Sequence, residues 1–161
     1  MQSLIALMCF AAACFAAASV GWFFRPGKWY AGLAKPRWGP PKGVFAPVWT
    51  VLYLTIAFSG WLVWERAGTA VVRVPLTLYG VQLVLNAAWT PIFFGLRRPD
   101  LAFYEILLLS ACVAATIATF RPIHAGAAWL LMPYFLWVSF AAALNFSIWR
   151  RNPAAAVTYR V

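Results

Sequence analysis

Five apolar runs, each long enough to cross the hydrocarbon core of a bilayer, decide what this chain can fold into. A helix needs about 20 mostly apolar residues for that crossing. The runs cover residues 4–24, 44–64, 74–96, 101–120 and 125–149. The third carries Gln82, Asn86 and Pro91, the fourth Glu105, and the fifth Pro133 and Asn145. They are too long and too continuous for barrel strands, which alternate polar and apolar positions. The expected fold is an all-α membrane protein: a single five-transmembrane-helix bundle over residues 1–161. With 65% of residues apolar and 10% charged, a disordered chain, a coiled coil and a disulfide-rich secreted module are excluded.

The first run carries Ala16-Ala17-Ala18-Ser19, which resembles a signal-peptide cleavage region. Met1-Gln2-Ser3 offers no basic n-region, however, and the run is as long as a full bilayer crossing. An uncleaved helix is expected. Counting Lys and Arg then orients the bundle. Arg66, Arg73 and Arg121 fall on one side. Arg25, Lys28, Lys35, Arg37, Lys42, Arg97, Arg98, Arg150, Arg151 and Arg160 fall on the other, ten against three. The N-terminus is expected outside, with the first loop and the C-terminus cytoplasmic, in a bacterial cell membrane. The net charge of +10 reads as a topology signal, with anionic membrane lipid as partner and no nucleic acid.

Ala12/Ala16 and Ala13/Ala17 place small residues four apart on the first helix, a spacing that lets backbones approach in lipid. Close packing of the first helix on the fifth is one reading; the abundance of alanine in membrane helices is the other. The chain has one histidine, His124, in an outside loop, so a Ser–His–Asp triad, a histidine metal site or histidine-ligated haem inside the bundle is excluded. No metal site is expected. Cys9, Cys14 and Cys112 all fall in spans, where packing is their expected role.

The remaining chemistry lies in aromatic and amide faces. On the third helix Gln82, Asn86, Trp89 and Phe93 fall on one stripe at about 100° per residue, and amides in hydrocarbon belong inside the bundle. The fifth helix offers Pro133, Trp137, Ala141 and Leu144, with Tyr134 at the edge of that face. The second offers Phe45, Trp49, Tyr53, Ile56 and Gly60. A flat apolar cavity fits these faces, and so does ordinary helix packing with Gln82 and Asn86 as interhelical glue. Trp22, Trp61, Trp64 and Trp149 lie near span ends, where indoles favour the headgroup level; Trp49, Trp89 and Trp137 face inward. Glu105, about one turn inside its span, suggests either a proton path or, as expected here, a carboxylate reaching the interface to meet Arg97 or Arg98. The basic loop 25–43 is long and proline-restricted. It is read as a cavity lid in which Trp29, Tyr30 and Trp38 cover the bundle mouth and the cations meet anions; a loop resting on headgroups fits equally.

Trp29-Tyr30, Lys35-Pro36-Arg37-Trp38-Gly39-Pro40-Pro41, Phe45-Ala46-Pro47-Val48-Trp49-Thr50-Val51-Leu52-Tyr53, Asn86-Ala87-Ala88-Trp89-Thr90-Pro91-Ile92-Phe93-Phe94, Pro133-Tyr134-Phe135-Leu136-Trp137 and Ala143-Leu144-Asn145-Phe146 run through the spans in order. Together they resemble the translocator protein or tryptophan-rich sensory protein (TspO/MBR) family. The resemblance implies a homodimeric five-helix bundle that binds porphyrins and related tetrapyrroles, sterols and benzodiazepine-type ligands. Its cavity, opening toward the first loop, matches Trp29, Tyr30, Trp49, Asn86, Trp137 and Ala141 here. Trp38, Tyr53, Trp89, Phe93 and Leu144 join that ligand set from the faces above. Trp49 and Trp137 match tryptophans implicated in light- and oxygen-dependent porphyrin breakdown by some bacterial members; they are catalytic only on that reading.

The expected function is a receptor or carrier for tetrapyrroles, linked to tetrapyrrole regulation and stress, and not a conventional enzyme; porphyrin degradation and sterol or lipid transport are the alternatives. No cofactor is required. Protoporphyrin, or haem held without histidine, is the ligand, and Lys28, Lys35, Arg37 and Lys42 are set to meet its propionates. The family's outer-membrane members leave that membrane open, and 144–150 lacks the tyrosine of the sterol motif.

Overall fold

Each apolar run becomes a helix because a chain in lipid has no water to satisfy its backbone, so every N–H and C=O must bond within the span. A computed structural model describes residues 2–66 and 71–153, apart from the side chain of Lys42. The long helices are α1 (Gln2–Phe23), α3 (Lys42–Arg66), α4 (Arg73–Thr90), α5 (Pro99–Phe120) and α6 (Ala125–Arg151). All five are long and apolar enough to cross a membrane. The chain is a multi-pass membrane protein. The first loop is not irregular throughout: it holds a short helix, α2 (Lys28–Gly32). Arg160, counted in the charge bias, lies outside the described residues.

Helix α4 does not end cleanly. Pro91 has no amide hydrogen to continue the i→i−4 ladder, and the chain widens into a π-helical turn over Pro91–Gly95. The Leu96 N–H closes it on the Pro91 carbonyl at 2.8 Å, and Arg98 N–H reaches back to Ile92 O at 3.3 Å. Arg97 between them has φ of 55°, the left-handed conformation that normally selects glycine or asparagine after a helix.

The spans close into a ring in the order α1, α3, α6, α5, α4 and back to α1. Helix α1 therefore packs on α3 and α4, not against α6 as its alanine spacing suggested. Ala12, Ala13 and Ala16 are exposed, and Cys14 is its one buried residue. Cys9 also faces outward, so packing does not account for it. What holds α1 is a close approach at Gly60. A β-carbon built there falls 2.7 Å from the Phe10 ring and 2.9 Å from Tyr79. Phe10 packs edge-on against Tyr79 at 5.4 Å, Tyr79 donates to the Ile56 carbonyl at 3.2 Å, and Trp61 Nε1 donates to Ser3 O at 3.1 Å.

Lipid tails are as apolar as leucine, so helix association rests on such fitted contacts and on interhelical hydrogen bonds. Phe15, Trp22, Trp129 and Leu136 accordingly remain exposed on the outer surface, while Ile56, Val63, Val113, Phe120 and Tyr134 are wholly enclosed. Asn145 ties α6 to the start of α5 by donating to Pro99 O at 2.7 Å.

Candidate ligand site

The inward stripe of α4 lies where its amides require. Gln82, Asn86 and Phe93 are buried, with Trp89 packed beside them. At the level of Asn86 three helices meet in one polar knot. Tyr53 Oη on α3 donates to Asn86 Oδ1 at 2.6 Å, and Asn86 Nδ2 donates to Tyr134 Oη on α6 at 2.9 Å. Tyr134 is thus the centre of the α6 face and not its edge. Pro133 is exposed, and Trp137 lies half-buried. The reason is phase: Tyr134, Val138 and Asn145 form the buried line of α6, which turns Pro133 toward lipid.

Two aromatic walls stand beside the knot. On the α3–α6 side Trp49 lies 5.4 Å from Tyr53 and 6.3 Å from Tyr134, and Phe45 meets Trp137 at 5.8 Å. Trp137 continues to Phe140 at 5.6 Å, and Trp38 of the loop settles on Phe140 at 5.7 Å. On the α4 side Trp89 stacks on Phe93 at 4.9 Å. Helix α2 is pressed onto that wall, with Trp29 at 5.9 Å and Tyr30 at 6.0 Å from Phe93. Leu144 is buried with Phe93 in this cluster, and Ala141 packs at the edge of the α3–α6 wall. A groove of about 570 Å³ between α3 and α6, lined by Pro47, Val48, Val51, Leu52, Pro133, Leu136, Trp137 and Phe140, opens the α3–α6 wall toward the bilayer.

Several buried polar atoms here have no partner among the described residues: Trp89 Nε1, Trp137 Nε1, both ends of Gln82 and both oxygens of Glu105. An unpartnered buried donor costs about 1–3 kcal/mol. Glu105 therefore does not meet Arg97 or Arg98 as expected. Arg98 instead forms a two-point bridge with Asp100, at 2.8 and 2.6 Å. Residue 105 shares the inward side of α5 with Ala102 and Leu109, which directs its carboxylate into the bundle.

The loop cations are not equivalent. Lys35 Nζ is turned onto Ala31 O and Leu33 O and lies 4.7 Å over the Tyr30 ring. Burial holds the Tyr30 phenol above its ordinary range. Lys28 and Arg37 are exposed, and the Lys42 side chain lies outside the described residues. A fastening of the loop went unrecognised in the sequence. Asn152, at the end of α6, accepts from Ala34 N–H and donates to Ala34 O, both at 2.9 Å. Its only sequence signal is an asparagine just past the last apolar turn, the place of a helix cap. His124 has a capping role too, its Nδ1 accepting from Ala127 N–H at 3.1 Å. No cluster of three or more metal-ligating side chains occurs among the described residues.

A closed ring of five membrane helices, with a polar knot between aromatic walls and a fastened loop over one end, defines the class: a small integral-membrane protein with an aromatic interior. The family follows from comparison with known proteins. The TspO/MBR family model matches residues 10–150, and the chain belongs to that family. It is 46% identical over 127 residues to the translocator protein of Homo sapiens, covering 78% of this chain and 75% of that one. It is 37% identical over 143 residues to the tryptophan-rich sensory protein of Cereibacter sphaeroides, and 39% identical over 142 residues to protein CrtK of Rhodobacter capsulatus. Those matches cover 89% of each chain for the first, and 88% of this chain and 89% of the relative for the second.

Proposed function

We propose that the protein is a membrane receptor or carrier for porphyrins and related tetrapyrroles, held between the Trp49–Trp137 and Trp89–Phe93 walls. The observation that carries this reading is the pair of buried, unpartnered indole N–H groups, Trp89 Nε1 and Trp137 Nε1, one on each wall. Native interiors rarely leave such donors unmatched, and a ligand acceptor between the walls would match them. The names of the relatives, one a translocator and one a sensory protein, fit a carrier or receptor. Aromatic contacts contribute about 0.5–1.5 kcal/mol each beyond burial. The α3–α6 groove gives a lateral path from bilayer to Trp137, and the exposed Lys28 and Arg37 are available to propionates. The chain is taken as a homodimer with its N-terminus outside a bacterial cell membrane. Cytoplasmic-side labelling of a cysteine placed at Ser3 would reverse that orientation.

Protoporphyrin titration tests the function. Saturable quenching of intrinsic tryptophan fluorescence, weakened in Trp137→Phe, is expected; quenching no greater than that of an unrelated membrane protein would remove the proposal. Illumination of the complex in air decides the degradation alternative. A bilin-like product that disappears in Trp49→Phe and Trp137→Phe variants still binding porphyrin would establish it.

A further inference from the structure

The end of α1 and the π-helical turn of α4 meet in a second pocket, separate in its lining from the ligand groove. Arg25, Gly27, Lys28, Trp29, Phe94 and Arg97 surround about 520 Å³ there. Gly95 eases the meeting: a β-carbon on it would fall 2.9 Å from the Phe24 ring, so any larger residue would have to displace that ring. This contact brings Arg25 and Lys28 beside Arg97, some seventy positions later in the chain. Lys28 is exposed, and the two arginines are set by their surroundings. Arg25 lies 3.9 Å over the Trp22 ring and donates from Nε to Trp22 O at 3.2 Å, which leaves its two Nη groups directed elsewhere. Arg97 reaches the pocket from the left-handed backbone conformation at φ 55°. Glycine would hold that conformation without strain, so an arginine there is a departure from what the fold alone favours.

The surroundings identify the ligand class. The cations converge on one concavity, which suits a phosphate, and a guanidinium can grip phosphate oxygens in pairs. Immediately beside them stand large apolar side chains turned outward: Phe23 is 79% exposed, Trp22 72% and Leu96 58%. A basic pocket rimmed by lipid-facing aromatics at a span end is built for a molecule with an anionic head and an apolar body. We propose that this pocket binds the phosphate headgroup of an anionic phospholipid, whose acyl chains run along Trp22, Phe23 and Leu96. The site does not depend on the tetrapyrrole reading.

The test is native mass spectrometry of the detergent-solubilised protein titrated with phosphatidylglycerol, with phosphatidylcholine, and with sodium phosphate. Wild type is expected to retain phosphatidylglycerol well above the other two. Lys28→Gln changes an exposed side chain and should lower that retention about fivefold. Arg25→Gln/Lys28→Gln should lower it at least tenfold, and Arg97→Asn, which tolerates the left-handed backbone, should lower it as well. Arg150→Gln/Arg151→Gln removes two cations at the same end of the bundle and should leave retention unchanged. Equal loss in that control pair, or equal retention by wild type and Arg25→Gln/Lys28→Gln, would overturn the site. Inorganic phosphate bound as tightly as phosphatidylglycerol would overturn its assignment to lipid. Unchanged protoporphyrin binding in Arg25→Gln, a residue outside the tetrapyrrole set, would separate this site from the aromatic one; parallel loss of both ligands in that variant would overturn their separation.

Discussion

Tyr134→Phe removes one oxygen from the centre of the bundle and tests whether the polar knot holds three helices together. The ring is fully enclosed, and its contact with Trp49 at 6.3 Å does not involve the hydroxyl. Only the bond from Asn86 Nδ2, at 2.9 Å, is lost. Interhelical hydrogen bonds in membrane bundles average about 0.6 kcal/mol and reach about 1.7. This one should lie toward the upper end, because the orphaned amide proton stays buried beside a ring that cannot accept it. A loss of about 1–1.5 kcal/mol is expected, with a comparable loss for Tyr53→Phe, whose bond to Asn86 is shorter at 2.6 Å. The two share one amide, so the double variant should depart from additivity by about 0.5 kcal/mol or more. Reversible unfolding in mixed micelles, followed by circular dichroism, measures all three. Tyr104→Phe is the control, since Tyr104 is exposed and should change nothing measurable. Additive losses below about 0.3 kcal/mol in both single variants would refute the knot as a fastening, since isolated surface changes give as much.

Other expectations follow from the same geometry. Gly60→Ala drives a β-carbon into Phe10 and Tyr79 and should lower stability by about 1–3 kcal/mol, whereas Gly80→Ala, with nothing within 4 Å, should be neutral or raise it; a thermal melt that ranks them the other way would contradict the α1 packing. Asn152→Ala cuts both bonds to Ala34 and should speed amide exchange across the loop around residue 34 while leaving helix exchange unaltered. Glu105→Gln replaces a buried carboxyl that has no partner with an amide of the same shape and should leave stability unchanged or raise it by about 1–3 kcal/mol; a clear loss in a detergent melt would show that the carboxyl has an essential partner.

What the sequence made legible was whatever depends on length and period. The five spans follow from unbroken apolar runs. The inward turn of Gln82 and Asn86 follows from the penalty on amides in hydrocarbon. Contacts between helices were less accessible. The spacing of Ala12 and Ala16 shows that a backbone can approach closely, but not which neighbour the ring places beside it. The phase of α6 was off by one residue because Pro133 and Trp137 looked as fit for the interior as Tyr134, and only the reach of Asn86 decides between them. Glu105 was expected at the interface because Arg97 and Arg98 are near in sequence. Yet Arg98 has Asp100 two residues away, and that closer carboxylate takes the guanidinium. The loop lysines were treated as one anion site, while the fold turns Lys35 onto its own backbone. It also brings Arg97 to Lys28 through Gly95, a contact without any local signal.

The central claim is that Trp89 and Trp137, each with an unpartnered indole N–H, hold a flat ligand. Titration of the purified protein with protoporphyrin, comparing wild type with Trp137→Phe and Trp89→Phe, tests it most directly. Saturable binding that weakens about five- to tenfold in each variant, as loss of a charge-neutral donor and part of a stacking surface implies, is the expected result. Equal affinity in all three proteins, or quenching that never saturates, would contradict it.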